Sequence, residues 1–376
     1  MTETKTRWGL ILLLYAAGLL AAGQFAKIAL ELLSLETVYP EAPVALLVSA
    51  LSVAGILFGV TSGVVVARMG AGRSLLAALL AAGALTAAQA TLPPFAVMMA
   101  LRLAEGLAHL TIVVAAPALM VQAASGRDVP VAMGLWGTFF GVGFALSAAI
   151  GPWLDTVPAT LLAHAGACLV IAAMLFPLLQ TGPGQAQDRI GFLRRHASIY
   201  GTPAIVAPAL GFFLHTAMFL GLLTFVPLTV TPDIAALMPL LALVGTFGAG
   251  VIARYRRPET ILLVAFLLSV VAGLVLMVLP EELRAIGTLV FIVIVGLVPG
   301  ASFADVPALN RTPETQAQAY GAIAQLGNVG TAVSVPLFAL MLPLAGFPAL
   351  IGLAALISAM GCLAVWIIHR KIAEPA

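Results

Sequence analysis

Twelve apolar stretches, each close to the length of a membrane-crossing helix, constrain this chain more than any other feature. A hydrocarbon core is spanned by about 20 apolar residues in α-helix. Candidates occupy 8–33, 43–67, 74–92, 95–122, 129–153, 159–180, 203–229, 235–253, 260–279, 285–307, 317–342 and 346–368. Of 376 residues, 62% are hydrophobic and only 9% charged, whereas a soluble domain carries about 25% charge. The runs are continuous, so they do not fit a membrane barrel, whose strands alternate apolar and polar residues. The expected fold is an all-α membrane protein with twelve transmembrane helices. Its shortest loops are marked by Pro or Gly, as at Pro93-Pro94, Gly151-Pro152 and Gly346.

The few charges divide by side. Lys5, Arg7, Arg68, Arg73, Arg127, Arg189, Arg194, Arg195, Arg254, Arg256, Arg257, Arg311, Arg370 and Lys371 fall on one side of the alternating spans. Arg284, with Lys27 toward the same border, falls on the other, against Glu31, Glu36, Glu41, Asp155, Asp233, Glu281 and Glu282. Basic loops stay cytoplasmic, so both termini are expected there. Lys5 and Arg7 before an apolar run imitate a signal peptide. The run continues past Ala22, and it is expected to remain as the first span. Cys168 and Cys362 lie in apolar runs and are expected to be reduced.

The chain reads as two halves. Gly59 to Ala67-Arg68 at the end of the second span is echoed by Gly245 to Ala253-Arg254 at the end of the eighth. Ala116-Pro117-Ala118-Leu119 in the fourth span is echoed by Val306-Pro307-Ala308-Leu309 in the tenth. The expected domains are therefore two six-helix bundles, 1–181 and 203–376, joined by a cytoplasmic linker over 182–202. Within the linker, Gln185 to His196 reads either as a basic surface helix turning Ile190, Phe192 and Leu193 to the bilayer or as a solvated connector. Repeats of this kind hold substrate at their interface, near the bilayer midplane.

One stripe stands out against the apolar background. A helix turns about 100° per residue, so Arg102 and His109 fall almost on one line and Glu105 lies beside it. Ionisable groups at this depth face a bundle interior or a wet cavity and are functional candidates by default. Arg102 and Glu105 read either as a structural i,i+3 ion pair or as an anion-binding guanidinium with a proton-carrying partner. Arg stays charged, so any switching falls to Glu105. His109 and, in the seventh span, His215 read as cavity residues or as satisfied packing residues. Gln24, Lys27 and Glu31 share a face of the first span, where Lys27 either snorkels, pairs with Glu31 or adds a second cation near Arg102. Trp136, Tyr320, Gln325 and Asn328 either read substrate or serve as interhelical hydrogen-bond glue. Asp305 is expected to cap its helix or pair with Arg311. His164 is expected at a membrane border, and His196 and His369 receive no role.

These features resemble the major facilitator superfamily (MFS) over essentially the whole chain. That family's loop between spans two and three reads Gly-x-x-x-Asp-Arg-x-Gly-Arg-Arg. Here Gly63, Arg68, Gly70 and Arg73 match, while Ala67 replaces the acid on which a charge relay depends. The fourth-span pattern Arg-x-x-Gln/Glu-Gly is met by Arg102, Glu105 and Gly106. The fifth-span antiporter pattern is met in part, by Gly143, Gly151 and Pro152, with Ser147 in place of a glycine. Arg-x-x-Glu-Gly followed by the Trp136-Gly137 segment is similar to the branch holding cyanate- and nitroimidazole-type transporters. The resemblance implies two pseudo-symmetric bundles, a cavity lined by the first and fourth spans, and alternating access.

Enzyme, phosphate-loop and metalloprotease motifs are absent from the sequence. The arginines sit at membrane borders as topology requires, and no nucleic-acid partner is expected. Neither is a cofactor or metal. The expectation is a monomeric secondary transporter of a bacterial-type inner membrane, moving a small organic anion with protons. The alternatives are a drug or metabolite:proton antiporter and, of another class, a uniporter or ligand-sensing receptor.

Overall fold

The computed structural model describes residues 5–179 and 191–373. Residues 182–190 of the expected linker, with Arg189 and Ile190, lie outside the described residues. Every described element is helical. In order they are α1 (Trp8–Ala29), α2 (Leu32–Val38), α3 (Leu46–Met69), α4 (Ala71–Gln89), α5 (Phe95–Ala123), α6 (Asp128–Gly137), α7 (Phe139–Ile150) and α8 (Val157–Leu175). There follow α9 (Phe192–Tyr200), α10 (Pro203–Thr229), α11 (Leu237–Ile252), α12 (Pro258–Val278), α13 (Glu281–Leu309), α14 (Pro313–Ala345) and α15 (Phe347–Ala373). Two single 3₁₀ turns, Gly151–Trp153 and Pro232–Ile234, join them.

Among the described residues eleven helices are long and apolar enough to cross a membrane, and twelve if α6 and α7, which meet at a bend of 47°, count as one span. The fifth span was expected over 129–153. It breaks at Thr138, whose hydroxyl donates to the Leu135 carbonyl at 2.7 Å and closes the last turn of α6. The first span was expected to reach residue 33, but α1 ends at Ala29 and the chain turns into α2. The turn lets Leu35 pack among Ile28, Val44, Leu47, Met98 and Leu161. Tyr39 fixes the exit by donating to the Pro93 carbonyl at 2.6 Å.

The described chain forms two compact units. The first comprises Met1–Ser125, Phe139–Phe192 and Thr312–Ala324, and the second Gly126–Thr138, Leu193–Arg311 and Gln325–Ala376. Each unit therefore takes one segment from the other half of the sequence. In the first, α5 packs against α1, α3 and α4, and α8 against α1 and α4. Gly63 admits the start of α14, because a Cβ there would lie 2.5 Å from the Ala317 carbonyl oxygen.

In the second unit, α13 packs against α6, α10, α11 and α12, and α15 against α10 and α12. Thr246 donates across the α11–α13 contact to the Gly296 carbonyl at 2.8 Å. Asp128 at the start of α6 pairs with Arg254 beyond α11 at 3.2 Å. Both are partly exposed, so this pair adds at most a modest increment.

Candidate functional site

The first unit brings three of the expected residues, Lys27, Arg102 and Glu105, together around the Glu105 carboxylate. Glu105 on α5 accepts from Lys27 Nζ on α1 at 2.5 Å through Oε1, and from Arg102 Nη1 at 2.5 Å through Oε2. Two residues of α4 complete its shell. Thr86 donates to Oε1 at 3.0 Å, and Gln89 Nε2 donates to Oε2 at 2.8 Å. Thr86 also accepts from Lys27 at 2.6 Å. Both oxygens of a fully buried carboxylate thus accept two hydrogen bonds each, close to what a carboxylate can take.

Helix geometry explains the assembly. Arg102 and Glu105 are i,i+3 neighbours, which places their side chains on one face. Close approach of α3 then closes one flank. At Gly106 a Cβ would sit 2.8 Å from that of Ala54 and 3.2 Å from the Leu51 carbonyl oxygen, so only glycine fits without displacement. The approach brings the Leu47 carbonyl to Arg102, whose Nε donates to it at 3.0 Å. The apolar cluster of Ile28, Leu47 and Met98, within a turn of the charged side chains, keeps water from that end.

Arg102 and Glu105 are 0% exposed and Lys27 3%. Two cations share one carboxylate, so the group carries one excess positive charge. Its guanidinium is incompletely used: Arg102 Nη2 is buried with no partner among the described residues. Buried donors without partners are costly and uncommon in native structures. Here an unpartnered donor lies on a residual cation, where electrostatic interactions are strongest.

His109 belongs to a neighbouring layer. Its Nδ1 lies 3.1 Å from the Ala21 carbonyl and 3.1 Å from Gln24 Oε1, and its ring meets Phe25 edge-on at 5.1 Å. Gln24 is thereby tied to His109 rather than to Lys27. Lys27 itself does not pair with Glu31, which instead accepts from Thr160 at 2.9 Å. His164 was expected at a membrane border. It packs on Gly23 of α1, with Nε2 3.5 Å from Cys168 Sγ. Cys168 and Cys362 are both free thiols.

The other candidates are dispersed. Of the loop motif, Gly70 joins α3 to α4 with φ of 86°, a left-handed conformation that favours glycine. Arg68 and Arg73 are exposed and form no ion pair among the described residues, as the replacement of the motif acid by Ala67 implies. Tyr320 is buried in the first unit. In the second unit, Trp136 is fully buried, and His215 stacks on Phe219 at 4.8 Å. Gln325 accepts from the Tyr200 hydroxyl at 2.8 Å, and Asn328 lies one helical turn beyond it.

Sequence reasoning passed over three residues that matter here. Thr86 and Gln89 are spaced i,i+3 on the third span, a polar pair in an apolar helix that could have been read as a partner face. His369 was given no role, and Asp305 was expected to cap its helix or pair with Arg311. Instead His369 lies between two acids of the second unit, with Nε2 3.2 Å from Asp305 and Nδ1 3.2 Å from Glu259. α15 continues to Ala373, so His369 is a buried helical residue rather than part of a polar tail.

The profile of the Major Facilitator Superfamily matches residues 12–312. The chain belongs to this superfamily. It is a membrane transporter rather than an enzyme. No curated protein matches it by sequence. Solved structures share its fold at low identity. The proton:xylose symporter XylE, bound to 6-bromo-6-deoxy-D-glucose, superposes with a TM-score of 0.76 at 13% identity, over 96% of this chain and 95% of that one. The human organic anion transporter MFSD10 (TETRAN) gives 0.76 at 18% identity, over 95% and 98%. The E. coli fucose:proton symporter FucP gives 0.75 at 12% identity, over 97% and 98%. At these identities the likeness concerns the fold.

Proposed function

We propose that this MFS transporter moves a small organic anion in symport with protons by alternating access, with both termini in the cytoplasm. The observation that carries the reading is a buried carboxylate clamped by two cations, with Arg102 Nη2 left without a partner among the described residues. An anion that reaches Arg102 competes with Glu105 for the guanidinium. Protonation of Glu105 removes its charge and leaves Lys27 and Arg102 to a substrate anion. Anion and proton are then favoured together, because each relieves the uncompensated charge created by the other. The neighbours named as an organic anion transporter and as proton symporters support the same class.

The test is flux in proteoliposomes across a panel of small organic anions and cations, with and without an imposed pH gradient. Accumulation of one or more anions that collapses when the gradient is removed is expected, with Glu105→Gln uncoupled from the gradient. Transport confined to cations would overturn the anion reading. Flux indifferent to the gradient would overturn the coupling.

A further inference from the structure

The second unit holds a cavity of about 320 Å³ that the Glu105 network does not involve. It lies where the end of α9 meets α10 and α15. Its walls are Val206 and Leu210 from α10 with Ala364, Ile367 and Ile368 from α15, and among the described residues the ionisable groups lining it are Tyr200 and Lys371. The volume lies at the lower end of the range for small-molecule pockets, roughly 300–1,000 Å³, and suits part of one flexible chain.

Tyr200 is not available as a polar contact, since its hydroxyl already donates to Gln325 at 2.8 Å. Lys371 is exposed and makes no hydrogen bond or ion pair among the described residues. The cleft therefore offers an apolar slot with a lone ammonium at its mouth. Its neighbour Arg370 is held against the Trp366 ring, 4.5 Å from the centroid, which leaves the mouth to Lys371.

The adjoining helix carries the signature of a bilayer surface. Around α9, Phe192, Leu193 and Ile199 fall on one side, and Arg194, Arg195 and Ser198 on the other. Phe192 and Leu193 are 51% and 81% exposed, which is costly in water and favourable among acyl chains. An amphipathic helix with arginines on its polar face lies in the plane of the headgroups. The mouth of the cleft is then at headgroup depth and its apolar walls at acyl depth.

We infer that this cleft binds one anionic phospholipid, its phosphate on Lys371 and part of an acyl chain between α10 and α15. Charge complementarity selects the occupant: among the described residues the lining contains no acid, and the basic residues of α9 and the end of α15 favour a headgroup with net negative charge.

Native mass spectrometry of the full chain in detergent tests this, by titration with phosphatidylglycerol and with phosphatidylcholine of the same acyl chains. Phosphatidylglycerol is expected to be retained at lower concentration. Lys371→Gln should weaken it about fivefold, the effect of one basic residue near an anionic headgroup, and Lys371→Arg should restore it. Leu210→Trp, which fills the slot, should reduce retention of both lipids, with an unchanged melting temperature as the check on folding. Glycerol 3-phosphate, a headgroup without chains, should displace nothing. Equal retention of both lipids, wild-type binding by Lys371→Gln and Leu210→Trp, or displacement by glycerol 3-phosphate would each overturn the assignment.

Discussion

Lys27 Nζ lies 2.5 Å from Glu105 Oε1, and the contact fastens α1 to α5 across 78 residues of chain. Neither side chain is more than 2% exposed. Taking charges out of water is expensive, and their attraction offsets that cost only where every lone pair and proton finds a partner. The Glu105 side meets the condition with four donors, whereas the Arg102 side leaves Nη2 unmet.

Removing the acid exposes that imbalance. Glu105→Gln leaves Lys27 and Arg102 buried without a counter-charge, and breaking such a group costs about 3–5 kcal/mol. The melting temperature in detergent should fall accordingly. Lys27→Met removes one of the stranded cations, so Lys27→Met with Glu105→Gln should be more stable than the sum of the single effects implies, by roughly 0.5–3 kcal/mol. Additive losses would mean that the two side chains are not coupled.

The α4 donors make a smaller and separable contribution. Gln89→Leu removes one hydrogen bond to a buried carboxylate, worth about 1.5–3 kcal/mol. It also removes Gln89 Oε1, which is buried with no partner among the described residues, so the loss should fall at the low end of that range. Thr86→Val should cost more, because Thr86 both accepts from Lys27 and donates to Glu105. Thermal unfolding of the two variants side by side gives the ranking, and the opposite order would refute it.

How much of this was legible depended on distance along the chain. Span lengths follow from the apolar runs, because lipid forces the backbone to satisfy itself within each helix. The Arg102–Glu105 pair follows from spacing on one helix. For Lys27 the spacing left three readings open: Glu31 is one turn away in sequence, but α1 ends at Ala29 and Glu31 turns away to Thr160, which leaves Lys27 to Glu105. Which face of α4 meets α5 is likewise a packing outcome, so Thr86 and Gln89 could be seen as polar but not assigned. His369 follows the last apolar run and so looks like a polar segment, while packing of α15 against α12 and beside Asp305 keeps it helical and buried.

Gly106 makes a steric prediction. In Gly106→Ala the new Cβ would lie 2.8 Å from that of Ala54, too close for two carbons without a shift of α3 against α5. Overpacking of this kind costs typically about 1–3 kcal/mol. Ala54→Gly removes the opposing atom, so the double variant should recover most of the loss in melting temperature. Failure to recover would place the conflict at the Leu51 backbone, 3.2 Å away.

His369 should matter for stability in the second unit. It stands between Asp305, which is 1% exposed, and Glu259 at the start of α12. His369→Ala removes the imidazole that stands 3.2 Å from the buried Asp305 carboxylate, and loss of the electrostatic partner of a buried polar group costs about 1–3 kcal/mol or more. Asp305→Asn in the same background removes the stranded charge and should return part of the loss. Thermal unfolding of the three variants decides it: a His369→Ala protein as stable as wild type would show that the contact contributes nothing.

Tyr200 supplies a pH signature outside the spans. Burial disfavours its ionised form and pushes its pKa from an ordinary 10.0 up to about 12, while its hydroxyl donates to Gln325. The folded state thus prefers neutral Tyr200 more than the unfolded chain does. The stabilisation is complete below about pH 10, where both states are protonated. It declines as pH rises toward the folded value, because the unfolded chain releases its proton first. Tyr200→Phe cannot ionise and loses the hydrogen bond at every pH. The wild-type advantage in melting temperature over Tyr200→Phe should therefore be level from pH 7 to about 10 and shrink above it. An advantage that grew with pH would contradict the buried, donating hydroxyl.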